Sequence, residues 1–350
     1  MASKLSSKSG INPKFSVKNR TIKELDYYLN GLMEGNRYIL SECITLIEST
    51  QNLKRDAGIK LLSALPKSDK KSIRIGITGS PGVGKSTFIE TFGLFLIENG
   101  HNPSILAIDP SSQINKGSIL GDKTRMETLA NHPKAFIRPS ASGNILGGTA
   151  AFTKDAIRLC EAAGYDFILV ETVGIGQSEI EVDNITDVNV LLLQPGAGDD
   201  IQGIKRGVVE NADILIINKA DGQQLDLAKQ TMRYYKNAIQ LFHHDTKGWS
   251  TPVLMMSAIE NTGVKEVYQA INDYQKCLTD AGIFQLNRQR QEMKWFEKQC
   301  DEMMHKIVFS NNVINKSFNQ LSKEVRNNKI STSAALAKME VVFNSMIKSN

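Results

Sequence analysis

Cysteine is scarce in this chain: there are four in 350 residues, Cys43, Cys160, Cys277 and Cys300, far apart and with no CxxC pair. Such spacing gives neither a disulfide framework nor a zinc frame, and it predicts a reducing compartment with buried or inert thiols. Long apolar runs are missing too. No stretch approaches the roughly 18 apolar residues of a membrane span, so no membrane association is expected. The chain has no dense Lys/Arg run and no interleaving of basic with aromatic residues, and its formal net charge of +5 is small for its length. Nothing there points to nucleic acid. The first twenty residues contain lysines and serines but no acid. They lack the arginine richness and amphipathic face of a transit peptide, and read as a disordered tail on a cytoplasmic protein. Internal repeats and low-complexity tracts are absent as well.

What remains is ordinary globular composition, 41% hydrophobic and 23% charged, enough for one large core or one core with appendages. Leu25, Tyr28, Leu29 and Leu32, then Ile39, Ile44 and Ile47, recur at helical spacing. The polar stretch LPKSDKKS (65–72) ends that region. Short apolar runs then alternate with helical stretches: IRIGIT (73–78), SILAID (104–109), AFIR (135–138), FILVET (167–172), VNVLLLQ (188–194), DILIIN (213–218) and PVLMMS (252–257). This pattern predicts an α/β fold, a mostly parallel seven-stranded sheet flanked by helices. Past about 282 the spacing is helical again, in Met293, Phe296, Cys300, Met303 and Ile307 and in Leu336, Met339, Phe343 and Met346. That stripe suits either a tail packed on the sheet domain or a dimer seam. The expected organisation is a tail and helical extension over 1–70, a nucleotide-binding domain over 71–281 and a C-terminal helical segment over 282–350.

The stretch GSPGVGKST (79–87) carries the chemistry. Gly79, Ser80, Pro81, Gly82, Val83, Gly84, Lys85, Ser86 and Thr87 follow one apolar run and open a helical one, matching GxxxxGK[ST] in its expected setting. Its glycines let backbone N–H groups turn onto phosphates, and the helix N-terminus adds its dipole. Lys85 is expected to reach the β/γ-phosphates and the Ser86 hydroxyl to ligate Mg²⁺. Asn218-Lys219-Ala220-Asp221, after the sixth run, matches NKxD. Its carboxylate can accept from guanine N1–H and the exocyclic amine, which adenine does not offer, and such a site rejects the wrong base by about 10⁴-fold. Ser257-Ala258 resembles the dipeptide that contacts the guanine carbonyl through its backbone. Between these motifs Glu171-Thr-Val-Gly174 occupies the place of DxxG, with a glutamate as the acid and Gly174 offering a backbone N–H to the γ-phosphate.

That glutamate resembles the metallocentre-assembly branch of the SIMIBI-class P-loop GTPases. Within it, AIDPSSQINKGSILGDKTRM (107–126), AFIRPS, GGTAA, ETVGIGQSE and PGAGDDIQGIKRGVVENAD closely resemble the methylmalonyl-CoA mutase-associated GTPases of the MeaB/ArgK type. The likeness is dense over roughly residues 70–260. It implies a GTP-hydrolysing switch that binds an adenosylcobalamin-dependent acyl-CoA mutase, protects it and gates cofactor loading; a homodimer through the C-terminal helices is expected instead from the apolar series of Met293, Phe296, Cys300, Met303 and Ile307. It further implies that Asp109 and Asp122 are switch I acids around Mg²⁺ and that Glu171 is the switch II acid. Asp199, Gln202 and Lys205 fall in the loop that resembles switch III, through which, the likeness implies, nucleotide state is coupled to the mutase. In one place the chain departs from the pattern: QINKGS stands where a Gly-Gly pair is expected before Ser118, putting Lys116 in switch I.

Other readings find less support. A metal-inserting GTPase of the same branch needs a Cys/His cluster, such as CxCC between the first and third motifs, or a His-rich tail, but Cys160 is the only cysteine in that interval and His243-His244 is an isolated pair. A kinase linked to amino-acid uptake would carry HRD and DFG signatures, and neither occurs. Intact Lys85, Ser86 and Glu171 count against a pure adaptor.

Overall fold

The computed structural model describes residues 22–66, 72–109, 126–141, 148–172, 182–197, 206–240 and 248–347. Lys116, Asp122, Gly174, Asp199, Gln202, Lys205, His243 and His244 lie outside them. Three helices come first: α1 (Leu25–Met33), α2 (Arg37–Ile47) and α3 (Asn52–Ala64). Asn36 starts α2 by accepting from the Tyr38 and Ile39 N–H groups at 3.0 and 3.3 Å, the usual way to satisfy orphan donors at a helix start.

The middle of the chain builds seven strands: β1 (Ile73–Gly79), β2 (Pro103–Asp109), β3 (Phe136–Ala141), β4 (Phe167–Thr172), β5 (Val188–Leu193), β6 (Ile214–Ile217) and β7 (Val253–Met255). They form one sheet in the order β3-β2-β4-β1-β5-β6-β7, and every described pairing is parallel. The connecting helices are α4 (Lys85–Glu98), α5 (Glu127–Asn131), α6 (Gly148–Ala162), α7 (Arg206–Glu210), α8 (Leu225–Gln240) and α9 (Val264–Asp280).

Continuous apolar runs form these strands because both faces are covered. On one face α4 and α9 bury Ile73, Ile75, Ile77, Ile105, Leu169, Val190, Leu192 and Ile216. The alternate residues of β2 and β4, Leu106, Ile168 and Val170, meet α6 and the helices α1–α3 on the other face. Farther along that face Leu191, Leu193, Leu215 and Ile217 pack with α8. The N-terminal helices therefore share a core with the sheet.

After α9 come α10 (Ile283–Ser310), α11 (Asn312–Arg326) and α12 (Thr332–Ile347). Of the 28 residues of α10 only Ile283 and Phe284 are buried, and both belong to the α4/α9 core. One turn on, Arg288 binds Asp187 through Nε at 2.7 Å and Nη2 at 2.5 Å, and donates to Ser72 O at 3.0 Å. Farther along, Met293, Phe296, Met303 and Ile307 are each more than half exposed. No helix among the described residues is long and apolar enough to cross a membrane.

Candidate nucleotide site

All seven strands run the same way, so their carboxyl ends gather at one edge, where ligands of open α/β sheets bind. β1 lies centrally, between β4 and β5, and ends in Gly79. Ser80, Pro81, Gly82, Val83 and Gly84 turn over that edge, and Lys85, Ser86 and Thr87 open α4. The turn depends on its glycines. Gly84 has φ +97°, in the left-handed region that costs other residues strain, and a Cβ there would lie 2.7 Å from Asn218 Nδ2. Val83 is fully buried and pins the loop to the core.

The Lys85 ammonium curls back across this loop, donating to Gly79 O at 2.7 Å and Ser80 O at 3.3 Å. Burial pulls its pKa below the ordinary lysine value, against the opposing pull of the Glu171 carboxylate. Glu171 comes from β4, where it pairs with Ile77 of β1 on one side and Ala107 of β2 on the other. It is only 6% exposed, and its Oε1 lies 3.4 Å from Ser86 Oγ. One cation, one hydroxyl and one carboxylate thus converge above the central strand. Thr172 follows, donating from Oγ1 to Ile77 O at 3.3 Å. Asp109 is the last residue of β2, in register with Ala141 of β3.

The second motif leaves β6 directly. Asn218 is 1% exposed, and its Nδ2 donates to Val83 O at 2.9 Å. Lys219 has φ +56°, unusual for a residue with a side chain, and its Nζ donates to Gly82 O at 2.7 Å. Both side chains therefore grip the outside of the phosphate-type loop, which the sequence pattern alone did not disclose. Asp221 accepts a short hydrogen bond from Ser257 Oγ. Ser257 and Ala258 leave β7 in a turn closed by reciprocal Ser257–Thr262 backbone bonds of 3.0 and 3.1 Å. Gly263 makes that turn possible, since its φ is +79° and a Cβ would meet Met255 O at 2.2 Å.

One participant escaped the sequence reading. Thr91, six residues beyond Lys85, donates from Oγ1 to Ala258 O at 3.0 Å. A threonine within a helix has no spacing signal that marks such a contact. Among the described residues no group of three or more His, Cys, Asp or Glu side chains is arranged to hold a metal ion, so the Cys/His cluster required of a metal inserter is not found there.

A glycine loop joining the middle strand of a parallel sheet to a helix, braced by an Asn-Lys-x-Asp run two strands away, defines a P-loop GTPase. The chain belongs to the family described as methylmalonyl Co-A mutase-associated GTPase MeaB, whose model matches residues 40–313. It is 40% identical over 311 residues to GTPase ArgK of Escherichia coli, covering 89% of this chain and 94% of that one. A mouse protein (Mus musculus) named methylmalonic aciduria type A homolog, mitochondrial, is 42% identical over 281 residues, 77% of this chain and 68% of its own. A crystal structure titled LAO/AO transport system kinase superposes with a TM-score of 0.76 at 34% identity, over 93% of this chain and 99% of that one. As a GTPase of this family the chain binds guanine nucleotides.

Proposed function

We propose that this GTPase is a nucleotide-dependent switch and chaperone for an adenosylcobalamin-dependent acyl-CoA mutase, protecting that enzyme and gating its cofactor loading. The observation carrying the switch reading is the direct bracing of the base motif on the phosphate loop, Asn218 on Val83 and Lys219 on Gly82. Through it, seating of the base and seating of the phosphates are mechanically one event. The family description and the name of the mouse relative support the choice of client.

In this reading Gly79 to Thr87 cradle the phosphates, Lys85 faces the β/γ-phosphates, and Asp221 with Asn218, Lys219, Ser257 and Ala258 reads guanine. Ser86 and Glu171 offer oxygen donors alone, the set a hard Mg²⁺ ion takes. Their approach to 3.4 Å fits a shared cation, with Asp109 and Asp122, both by resemblance, completing the set. Bound there, Mg²⁺ would neutralise charge on the phosphate oxygens. The exposed stripe on α10, including Phe296 at 63% and Ile307 at 62%, supports a homodimer through the C-terminal helices.

The test is GTP turnover with and without the mutase. Accelerated turnover and GTP-dependent co-elution with the mutase are expected, since a partner-supplied or partner-ordered group can add about 10³ to 10⁵ in rate. Lys205→Ala should cut the stimulated rate far more than the intrinsic one. Full stimulation of the variant would remove that lysine from the coupling loop, and absence of any stimulation or binding would overturn the choice of client.

A further inference from the structure

Threonine inside a helix commonly bonds back to the carbonyl one turn earlier. Thr91 instead donates across 167 residues of sequence, to Ala258 O at 3.0 Å. It thereby ties the helix that opens at the phosphate loop to the turn that follows β7. That turn is held on its other side by Ser257, whose Oγ donates to Asp221 and accepts from Glu260 N at 3.1 Å. Ala258 thus has a clamped residue before it and a clamped carbonyl of its own. No described backbone group accepts from its N–H, which leaves that donor available to a ligand.

We propose that Thr91 is a positioning residue for base recognition. By fixing the Ala258 carbonyl it aims the Ala258 N–H at the 6-oxo group of the purine, making discrimination at that position depend on how α4 is seated. The inference rests on the guanine-reading assignment of Asp221 and the Ser257-Ala258 turn. Thr91 would touch neither base nor phosphate; it acts through the backbone of one residue, fixing the peptide after Ala258 while the N–H it aims belongs to the peptide before it.

That route predicts a ligand-specific signature. Removing the hydroxyl should weaken only those nucleotides that carry a 6-oxo group. Guanosine diphosphate and inosine diphosphate have one; 2-aminopurine riboside diphosphate keeps the 2-amino group and lacks the 6-oxo and with it the N1–H, so each nucleotide is compared with itself between wild type and variant. Dissociation constants of all three are measured by calorimetry for the full chain, Thr91→Val, Thr91→Ala and Thr91→Ser, with the Tm of each nucleotide-free protein alongside. Thr91→Val is expected to weaken both 6-oxo nucleotides by roughly fivefold, the scale of one net hydrogen bond. It should leave the 2-aminopurine nucleotide within about twofold, with Thr91→Ala showing the same pattern and Thr91→Ser restoring the native ratios. Equal loss for all three nucleotides, or no loss, would overturn the proposal, because a purely structural tie lowers Tm and affinity without regard to the 6-position. Failure of the guanine reading itself looks different: the unmodified chain would then bind adenosine diphosphate as well as guanosine diphosphate, whatever residue stands at 91.

Discussion

In the proposed reading, Asp221 carries base choice on a single carboxylate. In place beside Ser257 Oγ, it can only accept, so it selects a base edge that donates. Asp221→Asn turns one acceptor into a donor, and calorimetry should show guanosine diphosphate weakened at least about a hundredfold with preference moving toward xanthosine diphosphate. Unchanged selectivity would move base reading elsewhere. Lys85 is the corresponding single group at the phosphate end. Its ammonium is desolvated and rests on the Gly79 and Ser80 carbonyls, which satisfies it until an anion arrives. Lys85→Ala should lower GTP turnover by about 10² or more, in line with the loss of one preorganised charge-stabilising donor. Glu171→Ala should lower Mg²⁺-dependent turnover more than guanosine diphosphate affinity. Normal hydrolysis by that variant would take Glu171 out of the metal set.

Between elements, partly buried carboxylates make stability depend on pH in opposite directions. Asp213, at the entrance to β6, accepts from Asn189 N of β5 at 2.8 Å and from Tyr274 Oη of α9 at 2.8 Å. Burial outweighs both bonds and pushes its pKa up to about 7. Asp155 on α6 is pushed up to about 6, again by burial. With folded values above unfolded ones, the native state binds more protons, so stability falls as pH rises from the ordinary carboxylate range to about 7. Each fully titrating group contributes at most ~1.4 kcal/mol per pH unit. Glu161 behaves oppositely. It is partly buried, but the hydrogen bonds it accepts from Arg74 Nε and Nη2, both 2.9 Å, hold it below its ordinary value, so its contribution is lost on acidification. Urea unfolding between about pH 5 and 7 should therefore show declining stability, and Asp213→Asn should flatten that slope. A wild-type profile already flat across this window would contradict the account.

For the whole molecule, the proposed homodimer turns on the C-terminal helices. A monomer seldom leaves a contiguous apolar stripe in water, yet Met293, Phe296, Met303 and Ile307 recur along α10 largely exposed. Cutting the chain before α10 would be a poor test, because Ile283 and Phe284 complete the sheet-domain core and Arg288 holds Asp187. Charge on the stripe is cleaner. Light scattering should find a dimer for the full chain and a monomer for Phe296→Glu/Ile307→Glu, with guanosine diphosphate affinity retained. A monomeric full chain would leave the stripe to another partner.

Seven apolar runs predicted seven strands because a strand covered on both faces needs no polar alternation, and each run could be recognised without its neighbours. The phosphate loop and NKAD were legible for a similar reason: each is a contiguous stretch whose chemistry is carried by adjacent residues. Strand order was not legible, nor was the placing of Glu171 between Ile77 and Ala107, since register is set by packing of distant segments. The grips of Asn218 on Val83, Lys219 on Gly82 and Thr91 on Ala258 likewise appear only when β1, β6 and β7 end at one edge. By itself the sequence determined which chemical groups the protein carries and which segments form strands and helices, because those depend on local order and spacing. Only the tertiary structure decided which groups face one another, because contacts across more than a hundred residues arise from the parallel sheet that brings its strand ends together.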